Sequence, residues 1–220
     1  MVTTDIAVDP SNRAVYQAWN GSEGDYWTEN AELYDASLAR YDPFFFGAAA
    51  ITPTDRVLDI GCGNGSTTCE AARRAPQGSA LGVDLSARMI ERARTRAAAA
   101  GLGNAEFLQA DVQIYPFAPR SFDQVISRTG GMWFGDPITA FSNIAHCLRR
   151  SGRLTLLVWQ DDAAFRFVRG IGFVKSLFDA VEESRRRQAL DALRESLESH
   201  TVADGVLYPS AMWLIVGRRA

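Results

Sequence analysis

The sequence predicts an α/β protein built on a doubly wound, mostly parallel sheet covered on both faces, and three observations carry that prediction. Short β-branched or Leu-rich runs alternate with longer Ala- and Arg-rich amphipathic stretches, the pattern of repeated βαβ units. One run passes into the glycine-rich turn Gly61-Cys62-Gly63-Asn64-Gly65 and then into a helix, a turn through which backbone can approach a ligand closely. Acids stand at three successive strand ends, Asp59, Asp84 and Asp111, where open sheets of this kind meet their ligands.

Taken in order, the first 50 residues gather Tyr16, Trp19, Tyr26, Trp27, Tyr34 and Tyr41 ahead of any strand. They read as a helical cap, with the sheet domain spanning 51–220. Strands are expected at 56–60, 79–84, 105–109, 122–127 and 153–160. Between the second and third, Ser86 is an N-cap, Met89, Ile90, Ala93, Ala97 and Ala100 form an apolar stripe, and Gly101 is the stop. The arginines of that helix fall on its exposed face. A further amphipathic helix is expected at 138–148, and an apolar run at 212–219 should close the sheet at or near an edge.

At 220 residues, 24.1 kDa and 47% hydrophobic composition, one well-cored domain with an N-terminal extension suffices. Twenty-three bases against 26 acids give a charge of −3, which offers no footprint for a phosphate backbone, so nucleic acid is not an expected partner. The longest nearly uncharged apolar runs, 44–53 and 154–159, fall far short of the roughly 20 residues that span a bilayer. Residues 1–12 carry acids and no apolar core of a signal peptide, so a cytoplasmic location is expected. Cys62, Cys69 and Cys147 form no C-x-x-C pair and read as free thiols without a zinc site.

A glycine turn alone is weak, since glycines also merely punctuate βα turns. Asp84 strengthens it: nineteen residues beyond Gly65, at the second strand end, its carboxylate can accept from both hydroxyls of a ribose. That would serve NAD as well as S-adenosylmethionine. The loop arbitrates, because G-x-G-x-G is one residue shorter than the dinucleotide turn. Asp59 at its mouth would also repel a pyrophosphate and attract the ammonium of a methionine moiety. Asp111 stands where an acceptor can take the adenine amine, with the next backbone N–H facing a ring nitrogen. Each acid alone also reads as a helix cap or solvated loop residue.

The segments VLDIGCGNGSTT, GVDLSARMIERAR, FLQADVQIYPF, FDQVISRTGGMWFGDP and AFSNIAHCLRRSGRLTLLVW together resemble the class I S-adenosylmethionine-dependent methyltransferases. Within them the chain is most similar to the small-molecule branch that includes the ubiquinone and menaquinone biosynthesis C-methyltransferases. The resemblance spans roughly 15–159. It implies a Rossmann-like doubly wound sheet with an antiparallel C-terminal strand, S-adenosylmethionine as cofactor and a small-molecule methyl acceptor as partner. By resemblance, Gly61, Gly63 and Gly65, with Cys62 among them, flank the methionine portion, and Asp84 holds the ribose. Leu85 and Met89 border the adenine, Asp111 with Val112 reads it, and Ser127 and Arg128 line the methionine and transfer side. Trp19 and Trp27 belong to a pattern that closes over the cofactor. Two departures stand out. Arg150-Ser151-Gly152 replaces the usual Pro-Gly-Gly, which should change only a turn. After Trp159 the stretch that normally carries a substrate-covering helix pair is short, so a deleted or missing segment is expected near 160–165.

Methyl transfer is an in-line displacement, in which orientation alone can supply roughly 7–11 kcal/mol. No metal ligand set and no covalent nucleophile is visible in the sequence. Neither His146 nor His200 falls at a strand end, which favours an acceptor that ionises readily: a phenol, an enolisable carbon or an amine. Met132, Trp133 and Phe134 read either as core or as the floor for an aromatic, quinone-like or polyketide-like acceptor. Two other functions share parts of the pattern: an NAD-dependent oxidoreductase, and a cofactor-binding partner protein without catalysis.

Overall fold

The computed structural model describes residues 6–160 and 211–220, together with residues 182, 187, 201–202 and 205–206. Two units are distinguished, residues 1–158 with 213–220, and residues 159–212. The first holds the sheet and the cap. In the second, β6 (Thr201–Val202) and β7 (Gly205–Val206) pair as a short antiparallel ribbon.

The sheet contains β1 (Arg56–Ile60), β2 (Ser79–Asp84), β3 (Ala105–Gln109), β4 (Phe122–Arg128), β5 (Leu148–Trp159) and β8 (Met212–Arg218), in the order β3-β2-β1-β4-β5-β8. The first five strands pair in parallel. β8 runs antiparallel to β5: Ser151 N–H donates to Arg219 O, and Arg219 N–H donates to Gly152 O. It is therefore an edge strand, as the apolar run suggested. Strand 1 lies at the centre, and Val57, Leu58 and Ile60 are essentially inaccessible, as a parallel strand covered on both faces requires.

Helices cover both sides. On one face Cys69 of α5 (Ser66–Arg74) and Ile90, Ala93 and Ala97 of α6 (Ala87–Ala99) pack with Phe107. On the other, Ile144 and Cys147 of α7 (Pro137–Cys147) pack with Leu58, Val83 and Val125. Ser86 caps α6 by accepting from Met89 N–H, and Gly101 follows that helix at φ +66. β5 starts five residues before the expected strand. A register shift takes Leu148 opposite Phe122 and Arg153 opposite Gln124, so the Arg150-Ser151-Gly152 turn is absorbed as an irregularity inside the strand, with Ser151 at φ +61.

The N-terminal residues form the expected helical cap: a 3-10 turn (Pro10–Asn12), α1 (Arg13–Trp19), α2 (Ser22–Glu29), α3 (Ala31–Leu38), a second 3-10 turn (Ala39–Tyr41) and α4 (Asp42–Ala49). Its attachment corrects one expectation. The arginine face of α6 is not left to solvent: Arg88 pairs with Asp25 and Glu29, Arg92 with Glu32, and Arg96 with Asp35 at 2.7 Å. Complementary helix stripes explain the difference, because arginines spaced four apart meet acids presented by α2 and α3. Asn20 adds a bidentate bond, donating to Leu85 O at 3.0 Å and accepting from Ala87 N–H at 3.1 Å.

The three cysteines are buried. Among the described residues, no helix is long and apolar enough to cross a membrane. The suspected junction near 160–165, from residue 161 on, and His200 lie outside the described residues.

Candidate functional site

β1 delivers the chain into a turn that only glycine can make. Gly61 has φ +63, and a Cβ there would lie 2.6 Å from the Cα of Gly130, so the loop and the turn after β4 touch backbone to backbone. The next link is a hydrogen bond of 2.9 Å from Gly63 N–H to Asp84 Oδ2. Gly65 has a different duty: it precedes α5 at φ +80, and a Cβ there would lie 2.6 Å from Ala93 Cβ. It lets α5 and α6 approach.

Above these strand ends lies an open cavity of about 140 Å³. Gly61, Cys62 and Gly63 form one wall, and Asp84, Leu85 and Met89 the next. Asp111 and Val112 lie beyond β3, Arg128 stands at the end of β4, and Trp19 and Trp27 roof the space from the cap. Of the residues expected here, Asp59, Gly65 and Ser127 stand behind the wall instead. Ser127 is a correction: it is fully buried, its hydroxyl donates to Ile60 O at 2.6 Å and accepts from Gly131 N–H at 2.9 Å. Its hydroxyl is consumed in bracing the two turns, so it positions the site without lining it.

The three acids differ in environment. Asp84 is half-buried, with Oδ1 accepting from Ser86 N–H at 2.8 Å and Oδ2 from Gly63 N–H. Burial pushes its carboxyl above the ordinary range, opposed by the backbone N–H groups of Ser86, Gly63 and Leu85. Each oxygen keeps a lone pair, which suits a pair of ribose hydroxyls. Asp111 is 1% exposed and already engaged by the cap: Oδ1 accepts from Asn12 Nδ2 and Gln113 N–H, and Oδ2 from Asp9 N–H. One lone pair on Oδ2 stays open for an amine.

Asp59, also 1% exposed, accepts from Thr68 Oγ1 at 2.6 Å through Oδ2, while its Oδ1 has no partner among the described residues. Burial raises this carboxyl to about 7, against the lowering effects of Thr68 and Arg128. This carboxylate stands behind the glycine wall of the cavity, so it acts on a cavity ligand through its field rather than through an exposed oxygen.

Arg128 is 7% exposed and held by Asp42 at 2.9 Å, Asp35 at 3.1 Å and Ser66 Oγ at 2.9 Å. Asp35, Asp42 and Asn12 are participants that sequence reasoning missed, since they act across more than 80 residues and carry no local motif. The aromatic residues of the cap do converge here. Trp27 stacks on Tyr34 at 3.6 Å, and Trp19 meets Trp27 and Trp133 edge-to-face at 5.7 and 5.6 Å. Trp133 and Phe134 line the cavity, whereas Met132 is exposed. His146 sits exposed on α7, away from the cavity wall, as expected of a helix-face residue.

Glycine cradle, half-buried diol acceptor and open acceptor atoms fit an adenosyl cofactor with an amino-acid tail. Residues 57–152 match the family model described as a methyltransferase domain. An uncharacterized protein of Mycobacterium tuberculosis is 31% identical over 142 residues, which cover 64% of this chain and 49% of that protein. The aklanonic acid methyltransferase DauC of a Streptomyces species is 31% identical over 146 residues, covering 60% and 66%. The chain thus spans about half the length of the first of the curated relatives it matches. Among solved structures, a geranyl diphosphate methyltransferase in complex with GPP and sinefungin superposes with a TM-score of 0.54 at 20% identity, over 61% of this chain and 52% of that one, a likeness of fold.

Proposed function

We propose that this chain, whose residues 57–152 match a methyltransferase-domain family model, is a class I S-adenosylmethionine-dependent methyltransferase that transfers a methyl group to a small-molecule acceptor, aromatic or polyketide-like. The observation that carries this reading is the pairing of Asp84 with the glycine loop. A carboxylate fixed by Gly63 and Ser86 N–H groups and still open on both oxygens is preorganised for a nucleoside diol. When bound, S-adenosylmethionine supplies an electrophilic methyl on a sulfonium; the chain's work is to bind, orient and keep water out.

Each part of that work has residues. Asp84 holds the ribose, Leu85 and Met89 border the base, and the remaining lone pair of Asp111 reads its amine. Gly61 and Gly63 let backbone approach the methionine portion, and the Asp59 carboxylate behind that wall offers its ammonium a favourable field. Trp19, Trp133 and Phe134 offer flat apolar surface to the acceptor, which supports an aromatic or polyketide-like compound. The name of the relative DauC, a methyltransferase of aklanonic acid, supports a small organic acceptor as well. No histidine among the described residues stands by the cavity, so the acceptor is one that loses its proton readily.

Titration with S-adenosylhomocysteine tests the reading. It should raise the melting temperature of the wild-type chain, and Asp84→Ala should abolish that rise. Stabilisation by NAD and none by the adenosyl ligand would refute it. Binding without methyl transfer to any of a panel of phenols, enolisable ketones and amines would point instead to a non-catalytic partner protein.

A further inference from the structure

β8 ends the sheet with an edge of its own. It is last in the strand order, and among the described residues no further strand lies beyond it. Trp213 is 58% exposed and Ile215 47%, and Leu214 and Val216 are open to solvent as well. Successive strand residues point to opposite faces, so this edge is apolar on both. An exposed apolar edge of this kind is a template for pairing with another chain.

The bonds to β5 show which backbone groups are open. Arg219 N–H donates to Gly152 O, Arg219 O accepts from Ser151 N–H, and Ala211 O accepts from Gln160 N–H. Alternate residues of an antiparallel strand bond to the same neighbour, so Met212, Leu214, Val216 and Arg218 turn their N–H and C=O groups outward. Lipid cannot satisfy such groups, whereas an antiparallel strand can. A second β8, related by a two-fold axis at Ile215, sets Met212 opposite Arg218 and Leu214 opposite Val216, and each of these pairs can exchange both of its bonds. Any shift from that register leaves outward groups unpaired at the strand ends.

The same register suits the side chains. Ile215 meets its own counterpart, Leu214 meets Val216, and Trp213 comes to lie over Gly217. Gly217 has room for it, since a Cβ built there would find nothing within 4 Å, and an aromatic ring covering an edge glycine is a favourable cross-strand pair. Charge agrees with this arrangement. The Arg218 side chains of the two copies stand at opposite ends of the paired strands, about 20 Å apart, beyond the screening length of about 8 Å at physiological salt.

We propose that this edge is an interface between two copies of the chain, in which β8 pairs antiparallel with β8 about a two-fold axis at Ile215 and the two sheets become continuous. The contact is isologous, each residue meeting the same partner from either side. It is independent of the cofactor reading. A single strand pair is smaller than a standard interface of roughly 1,600 Å², so the dimer should dissociate on dilution.

Sedimentation of the wild-type chain across the micromolar range should show a mass rising toward twice 24.1 kDa. Ile215→Lys sets like charges directly opposite each other at the axis and should be monomeric over that range, and so should Ile215→Glu. Mixed in equal amounts, the two variants should associate again, because Lys faces Glu only in the mixed pair. Circular dichroism of each variant separates lost pairing from lost folding. Trp213→Ala alters a side chain already in solvent; it should fold as wild type does and raise the dimer dissociation constant about tenfold or more, and it decides the matter alone if an Ile215 variant does not fold. A wild-type chain that is monomeric throughout would overturn the proposal, and its sedimentation with phosphatidylglycerol vesicles would give the strip to a lipid surface instead. Dimers that survive both Ile215 substitutions, or an unchanged dissociation constant in Trp213→Ala, would place the interface elsewhere. Folded Ile215 variants that stay monomeric when mixed would overturn the two-fold register.

Discussion

Replacing Asp59 with Asn separates what the acid costs the empty fold from what it returns on binding. Its carboxyl is raised from the ordinary 3.8 to about 7, chiefly by burial. The folded chain thus holds this proton more tightly than the unfolded chain. The associated stability is present in full below pH 3.8, falls as the pH rises, and is gone above about pH 7. At 1.36 kcal/mol per tenfold change in proton affinity the whole effect is about 4 kcal/mol, of which roughly 2–3 kcal/mol falls between pH 5 and pH 8. Asn keeps an acceptor for Thr68 but points an amide N–H₂ into the position of the unmatched Oδ1, a fixed cost of about 1–3 kcal/mol that does not vary with pH. The slope is therefore the readout. Urea unfolding of the ligand-free chain at pH 5 and pH 8 should show wild type losing roughly 2–3 kcal/mol more than Asp59→Asn across that interval. Affinity for S-adenosylhomocysteine should climb over the same interval in wild type, as Asp59 ionises and its field favours the ammonium, and stay flat in the variant. Parallel stability profiles for the two proteins would refute the reasoning.

Gly61→Ala places a Cβ 2.6 Å from the Gly130 Cα at φ +63; it should cost about 2 kcal/mol or more in urea unfolding and weaken S-adenosylhomocysteine binding with it. Arg128→Met, which strips a buried guanidinium from Asp35 and Asp42, should cost roughly 1–3 kcal/mol. Arg92→Ala, whose partner Glu32 is 75% exposed, should change stability by no more than about 0.5 kcal/mol and only at low salt; equal losses for the two arginines would refute the distinction between them.

Much of the sheet was legible because its signals are local. The limits of β1, β2 and β3 follow from apolar runs bounded by turn residues, and α6 announces itself through Ser86, its apolar stripe and Gly101. β5 was placed late because the Ser151 irregularity hides its first residues behind polar side chains, and strand pairing rather than propensity decides where a strand begins. Asp84 was assignable because its spacing from the glycine loop is itself the motif. Ser127 was misplaced for the opposite reason. A serine at a strand end points either into the crevice or back into the turns, and only the contact between Gly61 and Gly130 decides which. Asp59 was visible as a strand-end acid, but its unmatched Oδ1 is a property of three-dimensional surroundings that no spacing encodes.

The cap shows what that limit means for reading function from single substitutions. Exposed ion pairs such as those of Arg88 and Arg92 contribute little each, so its attachment leans on the buried contacts: Asp111 with Asn12 and Asp9, and Arg128 with Asp35 and Asp42. Both Asp111 and Arg128 also line the cavity. Removing the Asp111 carboxylate would strip Asn12 Nδ2 and the Asp9 N–H of their acceptor while it deletes the group expected to read the base, so loss of ligand binding would mix cap release with lost recognition. Asp84 is free of that ambiguity, because its side-chain bonds run to backbone N–H groups of the glycine loop and of the start of α6, neither of them in the cap. For that reason Asp84, and not the more deeply buried Asp111, is the acid on which the cofactor assignment is best tested.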